Sequence, residues 1–137
     1  KTSKLMDKKY LAKIIATDQD GLKLISAYCA GAKVKINDIK YLSSNKVFLL
    51  SIERKKVELD QKDRKINSIC KFDCIDKVKS KNINQQNNES VLELIAIDYL
   101  KNKDDLEINL IFDKNAHIIL RAETIEVSLE DQNEIKQ

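Results

Sequence analysis

The groups able to serve as nucleophiles, metal ligands or acid–base catalysts are sparse: three cysteines, Cys29, Cys70 and Cys74, and one histidine, His117. A single histidine removes most schemes in which an imidazole activates a serine or cysteine, because each needs a base beside the nucleophile. His117 follows a turn-forming run, 113–116, and reads as a solvated residue at the start of a strand. Cys70 and Cys74 share one strand pattern, so both could face the same side, and Cys29 with His117 would complete a tetrahedral zinc set. Zinc knuckles, however, place their paired cysteines on a tight turn with glycine nearby, and this pair has neither. The thiols read instead as reduced packing groups. Gly21 and Gly31 are the only glycines, too few and too far apart to build a phosphate loop, a dinucleotide fingerprint or a nucleophile elbow. Acidic neighbours such as Asp104 with Asp105 and Glu123 with Glu126 are what 22 acidic residues produce by chance. No catalytic residue, metal or cofactor is assigned, and the chain is not expected to be an enzyme.

Basic residues carry the stronger signal. Lys33, Lys35 and Lys40 alternate along one extended segment, and Lys77, Lys79 and Lys81 along another. Between them, Arg54, Lys55 and Lys56 close a hairpin, and Arg64 and Lys65 fall in the turn that follows, so these five form the candidate binding cluster. If the segments were neighbours, a cationic stripe would result that suits a phosphate backbone. Net charge is only +3, because the last third is rich in glutamate and aspartate. Single-strand binders also stack bases on exposed aromatics. Phe48, Phe72 and Phe112 take inward phases, which leaves Tyr10, Tyr28, Tyr41 and Tyr99 as platforms. The commoner reading of strand lysines is that they keep an outer face soluble and protect edges.

The elements that must position these groups follow from periodicity. Residues 12–16 make a short first strand, and Thr17 and Asp18 after it are good N-cap residues. Leu22, Ile25, Cys29 and Ala32 then recur at helical spacing, with Gly31 placed for a left-handed C-cap, which predicts a helix over 19–30. Beyond it the period becomes two. Val34 and Ile36 alternate with lysines, and Ile39 and Tyr41 resume one residue out of phase, as a bulge near Asp38 would produce. Residues 43–45 turn the chain into a strand with Phe48, Leu50 and Ile52 inward. A charged turn at 60–65 leads to a strand with Ile66, Ser68, Cys70 and Phe72 inward, reaching towards Val78. Residues 84–90 form a polar loop that reads as a disordered tip. Strands at 91–100 and 106–112, the turn at 113–116 and a strand through Ile118 and Leu120 follow, with the last strand ending near Leu129 before an acidic tail.

One helix and six to seven strands without intervening helices argue for antiparallel pairing, since parallel strands need crossovers. The expected fold is α+β: an N-terminal helix packed on a curled antiparallel meander, a split barrel of pleckstrin-homology-like kind, with an Sm-like barrel as the alternative. A flexible segment at 1–10, one domain at 11–131 and a tail at 132–137 complete the division. The chain starts at Lys1, which reads as the inside of a longer gene product lacking a short tail. At 15.8 kDa, with 42% hydrophobic and 34% charged residues, it has the composition of one globular unit, without an apolar run of membrane-spanning length or a signal-peptide core. An odd cysteine count without framework spacing fits a reducing compartment. The expected localisation is cytoplasmic.

The segment orders then become familiar. Residues 14–22 (IIATDQDGL), Ile25 to Ala27, 32–39 (AKVKINDI), Phe48 and Arg54, 72–75 (FDCI), 94–97 (LIAI), and 123–126 (ETIE) with Leu129 and Asp131 resemble DUF2948, a family of uncharacterised alphaproteobacterial proteins. The likeness runs from about Leu11 to Asp131. It departs at Ala30 and Gly31, where the family pattern has a Gln-Asp pair, and at the C-terminus, where a family Trp and His are absent. The resemblance implies a bacterial cytoplasmic protein and supplies no activity. The function expected is a non-catalytic binding module for a protein partner or a second copy of itself, the alternative being an RNA-binding protein that uses the basic face, and the third reading an enzyme without a recognisable motif.

Overall fold

A computed structural model describes residues 11–56, 61–87 and 89–134. Tyr10 and the segment 1–10, like residues 135–137 of the expected tail, lie outside the described residues. The elements in chain order are β1 (Lys13–Ala16), α1 (Gln19–Cys29), β2 (Ala32–Lys35), β3 (Ile39–Leu42), β4 (Val47–Lys56), β5 (Gln61–Phe72), β6 (Ile75–Lys81), β7 (Val91–Asn102), β8 (Asp105–Phe112), β9 (His117–Ala122) and β10 (Val127–Glu134). Ten strands are therefore described, more than the six to seven expected. Every pairing is antiparallel, and the sheet runs β1-β10-β5-β4-β2-β7-β8-β9-β6, with β3 also paired to β4. The expected meander holds only in part, because β10 returns to lie between β1 and β5.

The helix is built as its sequence implies. Asp18 has extended backbone and its Oδ1 accepts the N–H of Gly21 at 2.8 Å, satisfying one of the free donors of the first turn. Leu22, Ile25 and Cys29 are buried. Both glycines have a steric reason. A Cβ on Gly21 would sit 2.9 Å from that of Ala16, so only glycine lets α1 start this close to β1. Gly31 has φ +84 and its N–H donates to Leu94 O at 2.8 Å, turning the chain out of the helix and into the sheet.

Inward residues of β1, β2 and β4 to β10 join those of α1 in one apolar cluster, so the sheet curls around a single core. Phe48, Phe72 and Phe112 are all buried in it.

Three departures from the periodicity have local causes. The phase slip expected as a bulge near Asp38 is a 3-10 turn over Ile36–Asp38, which bends one extended segment so that β2 and β3 both run beside β4. The long strand expected from Ile66 towards Val78 is two strands. Cys74 is left-handed at φ 61, Asp73 N–H donates to Glu126 O and Glu123 N–H to Cys74 O, and the chain leaves β5 for the far end of the sheet, where β6 pairs with β9. Finally, β5 starts at Gln61, inside the stretch expected as a charged turn, and β10 continues past Leu129 to Glu134. The loop at 84–90 is tied back into the fold: Asn87 N–H donates to Asn84 O, Ser90 N–H to Asn87 O, and Ser90 O accepts from Ile36 N–H.

Candidate functional site

The basic cluster does not assemble as one surface. Arg54 and Lys56 follow Phe48, Leu50 and Ile52 on the inward phase of β4, and both are completely buried. Lys55 is exposed and stands opposite the half-buried Lys65 across the β4–β5 ladder, while Lys65 Nζ reaches Glu53 at 3.8 Å. Arg64 is half-buried. Of the five residues, then, two belong to the interior. The wider stripe is broken as well: Lys33 and Lys35 on β2 are separated from Lys77, Lys79 and Lys81 on β6 by β7, β8 and β9, and Lys33 stands between Glu53 and Glu93. Nor are the three described tyrosines free platforms. Tyr28, Tyr41 and Tyr99 pack against the core.

Arg54 forms half of a buried charge node. Its Nε donates to Asp131 Oδ1 at 2.9 Å and its Nη2 to Oδ2 at 2.7 Å, the two-pronged geometry that guanidinium and carboxylate favour. Ser68 Oγ donates to Oδ1 at 2.6 Å, and Ala12 N–H donates to Oδ2 at 2.7 Å while Asp131 N–H returns a bond to Ala12 O. The guanidinium carbon lies 5.3 Å from the centre of the Tyr28 ring, close enough for a cation–π contact. One node therefore ties together β4, β5, β10, the residue before β1, and α1. Both charged side chains are 0% exposed, the setting of a structural fastening. The signal for it was present in the alternation: Val127 and Leu129 continue to Asp131 as Ile52 continues to Arg54.

The thiols divide differently from the sequence reading. Cys29 on α1 and Cys70 on β5 are neighbours in the core, and a hydrogen bond between them, with burial, raises the Cys70 thiol well above its ordinary range. Cys74 is set apart at the left-handed break, its thiol raised by partial burial and by Glu126, Glu123 and Asp73. Raised thiols are poor nucleophiles at neutral pH. His117 is on β9, opposite Lys81 and Ile111. Among the described residues no three of His, Cys, Asp and Glu converge as metal ligands.

One feature with the geometry of a ligand site is a seam where the curled sheet fails to meet itself. Among the described residues β3 forms a ladder with β4 alone and β6 with β9 alone. The two are tied at one end, where Tyr41 Oη donates to Ile75 O at 2.8 Å and Ile75 N–H donates to Lys46 O at 2.9 Å. Beyond that tie a cavity of about 380 Å³ opens between them, lined by Ile39, Tyr41, Phe48, Val78, Ile83 and Ile118 together with the polar Asn37, Ser80 and Gln85. Each strand leaves its far backbone edge unpaired among the described residues.

A family model described as a protein of unknown function (DUF2948) matches residues 12–137. The chain belongs to the DUF2948 family. The matched span contains every strand from β1 to β10, and so both the charge node and the seam. No curated protein and no solved structure matches it. Among the described residues of this DUF2948 chain, no helix is long and apolar enough to cross a membrane.

The node makes the stability of the DUF2948 fold sensitive to acid. Burial alone would raise the Asp131 carboxyl, but the hydrogen bonds from Arg54, Ser68 and the Ala12 N–H, with the Arg54 charge, outweigh it and leave it below the ordinary carboxylate value. As pH falls the unfolded chain takes up this proton first, at about pH 4. The contribution of ionised Asp131 is thus complete above that value and lost as pH drops through its lower folded value. The expected result is that the gap in urea midpoint between the natural protein and Asp131→Asn narrows when measured at about pH 2.5 instead of about pH 6. A gap that stays constant would show that Asp131 is not the titrating group.

Proposed function

We propose that this DUF2948 domain is a non-catalytic, cytoplasmic binding module whose ligand occupies the seam between β3 and β6. The observation that carries the reading is the seam itself: a cavity of mixed polar and apolar lining between two strand edges unpaired among the described residues, the setting that strand-accepting domains use. In this reading the curled sheet is a split barrel of pleckstrin-homology-like kind, and the seam is the split. Burial of Arg54, Lys56, Cys29 and Cys70 supports a structural role for the groups that could otherwise have been taken for chemistry. The RNA-binding alternative retains Lys77, Lys79 and Lys81 as its support, since Lys33 is flanked by glutamates.

The test compares the tagged protein with Ser80→Trp. Ser80 lines the seam and is exposed, so an indole there fills the cavity without disturbing the core. A protein captured stoichiometrically from the lysate of the source organism by the natural chain, and lost with Ser80→Trp, is the expected result. Equal capture by both would remove the seam from the binding surface. Nucleic acid present at low salt and lost at moderate salt would favour the RNA alternative instead.

A further inference from the structure

We infer that the seam takes an extended peptide, added as an antiparallel strand on the free edge of β6, whose apolar side chains alternate with acidic ones. This rests on the reading of the seam as the ligand site and adds the chemistry of the occupant.

The alternation follows from register. On β6, Val78 and Ser80 lie opposite Leu120 and Ile118 of β9, facing inward, whereas Lys77, Lys79 and Lys81 lie opposite Arg121, Ile119 and His117 on the outer face. On β3, Ile39 and Tyr41 lie opposite Leu50 and Phe48 and face inward, and Lys40, opposite Leu49, is exposed on the outer face. A strand laid in the gap must also alternate, because successive side chains in a strand point to opposite faces. Its inward residues would meet Ile39, Tyr41 and Val78 above the buried Phe48 and Ile118, with Asn37, Ser80 and Gln85 as the polar part of the lining. Its outward residues would lie with Lys77, Lys79 and Lys81 on one side and Lys40 on the other. Opposite charges directly across a ladder stabilise it and like charges oppose it, so the outward positions call for carboxylates.

The nearby charges do not cancel that preference. Asp76, at the tied end, is held by Lys46 Nζ at 3.2 Å, and Arg121 pairs with Asp105 at 3.1 Å, while all three β6 lysines are exposed. The unpaired backbone of β6 supplies the N–H and C=O groups for the ladder. A natural edge left this long without a partner is ordinarily guarded by lysines. Here the same lysines would select an acidic strand and repel a basic one.

The test uses a fluorescein-labelled hexapeptide of alternating valine and glutamate, with three comparators: alternating valine and lysine, the acidic peptide with alternate backbone nitrogens methylated, and the acidic composition in scrambled order. Binding is read by fluorescence anisotropy at low and moderate salt. Saturable binding of the acidic peptide is expected, with about tenfold weaker affinity in the double variant Lys77→Glu/Lys79→Glu, the loss appropriate to two partly exposed ion pairs. The methylated and lysine peptides should not bind. Both variants change exposed side chains, and circular dichroism with a urea midpoint checks that each remains folded.

Equal affinity for the lysine peptide would overturn the charge selection, and undiminished binding of the methylated one would overturn strand addition. Absence of any binding by the acidic peptide would overturn the inference while leaving the seam reading to stand on the lysate partner lost with Ser80→Trp. A dimer in sedimentation that Ser80→Trp converts to monomer would replace the peptide by a second copy of the chain.

Discussion

Replacing Asp131 with alanine should lower the unfolding free energy by about 3–5 kcal/mol, the usual cost of removing one member of a buried ion pair. The guanidinium of Arg54 would lose its two bonds to the carboxylate, and Ser68 Oγ and the Ala12 N–H would lose their acceptor. For a domain whose total stability is of the order of 5–15 kcal/mol, that is a large fraction. Urea unfolding followed by circular dichroism at neutral pH reads the loss. Hydrogen exchange locates it: the amides of β1, which is held to β10 by its ladder and by the Ala12 contacts with Asp131, should lose protection first. The double variant Arg54→Met/Asp131→Leu should be more stable than Asp131→Ala, because it removes both members of the pair and not one of them. A single-variant loss below about 1 kcal/mol would mean that the remaining acceptors of the guanidinium, among them Lys55 O at 3.1 Å, compensate for the carboxylate.

Phe72→Ala is expected to cost about 3–5 kcal/mol, as truncation of a fully buried aromatic usually does. Phe72 is 0% exposed and ends β5, flanked by Phe48 of β4 on one side and Val127 of β10 on the other. Its ring meets that of Phe48 edge to face, with centroids 6.0 Å apart at 62°, an arrangement worth about 0.5–1.5 kcal/mol beyond the area buried. A double-mutant cycle with Phe48→Ala should therefore show coupling of that size. Phe48 also lines the seam, so the cavity behind it should weaken peptide binding by any Phe72→Ala protein that stays folded. Simple additivity of the two substitutions would show that the rings do not support one another.

Much of the local structure is legible in the residues alone, because it depends on neighbours in sequence. Asp18 caps the helix through Gly21 three residues on, and Gly31 leaves it through a conformation other residues resist. The turn at 113–116 has Lys114 and Asn115 both left-handed, as a two-residue hairpin requires. The inward faces of β4, β5 and β10 follow from a period of two. Carried two and four residues past Ile52, and two past Leu129, the same period also places Arg54, Lys56 and Asp131 inside. Charge argued for the surface there, and the alternation argued against it. Alternation prevailed because Asp131 and Arg54 satisfy one another, with Ser68 and Ala12 completing the hydrogen bonds that a buried carboxylate needs.

What the sequence by itself determined is the character of each segment: its period, its ends, and which residues share a face. Those properties come from backbone geometry over a few residues. Which segments become neighbours was decided only in the tertiary structure. The alternation of Phe72 and Val78 gives no sign that one pairs beside β10 and the other beside β9, nor that Lys33 and Lys79 end three strands apart. Strand pairing is settled by contacts between distant parts of the chain competing around one core, and the left-handed Cys74 that redirects the chain is held by bonds to Glu123 and its neighbour's bond to Glu126. The seam between β3 and β6 belongs to that second category. It exists because the curled sheet, having satisfied its core, brings two edges together without joining them.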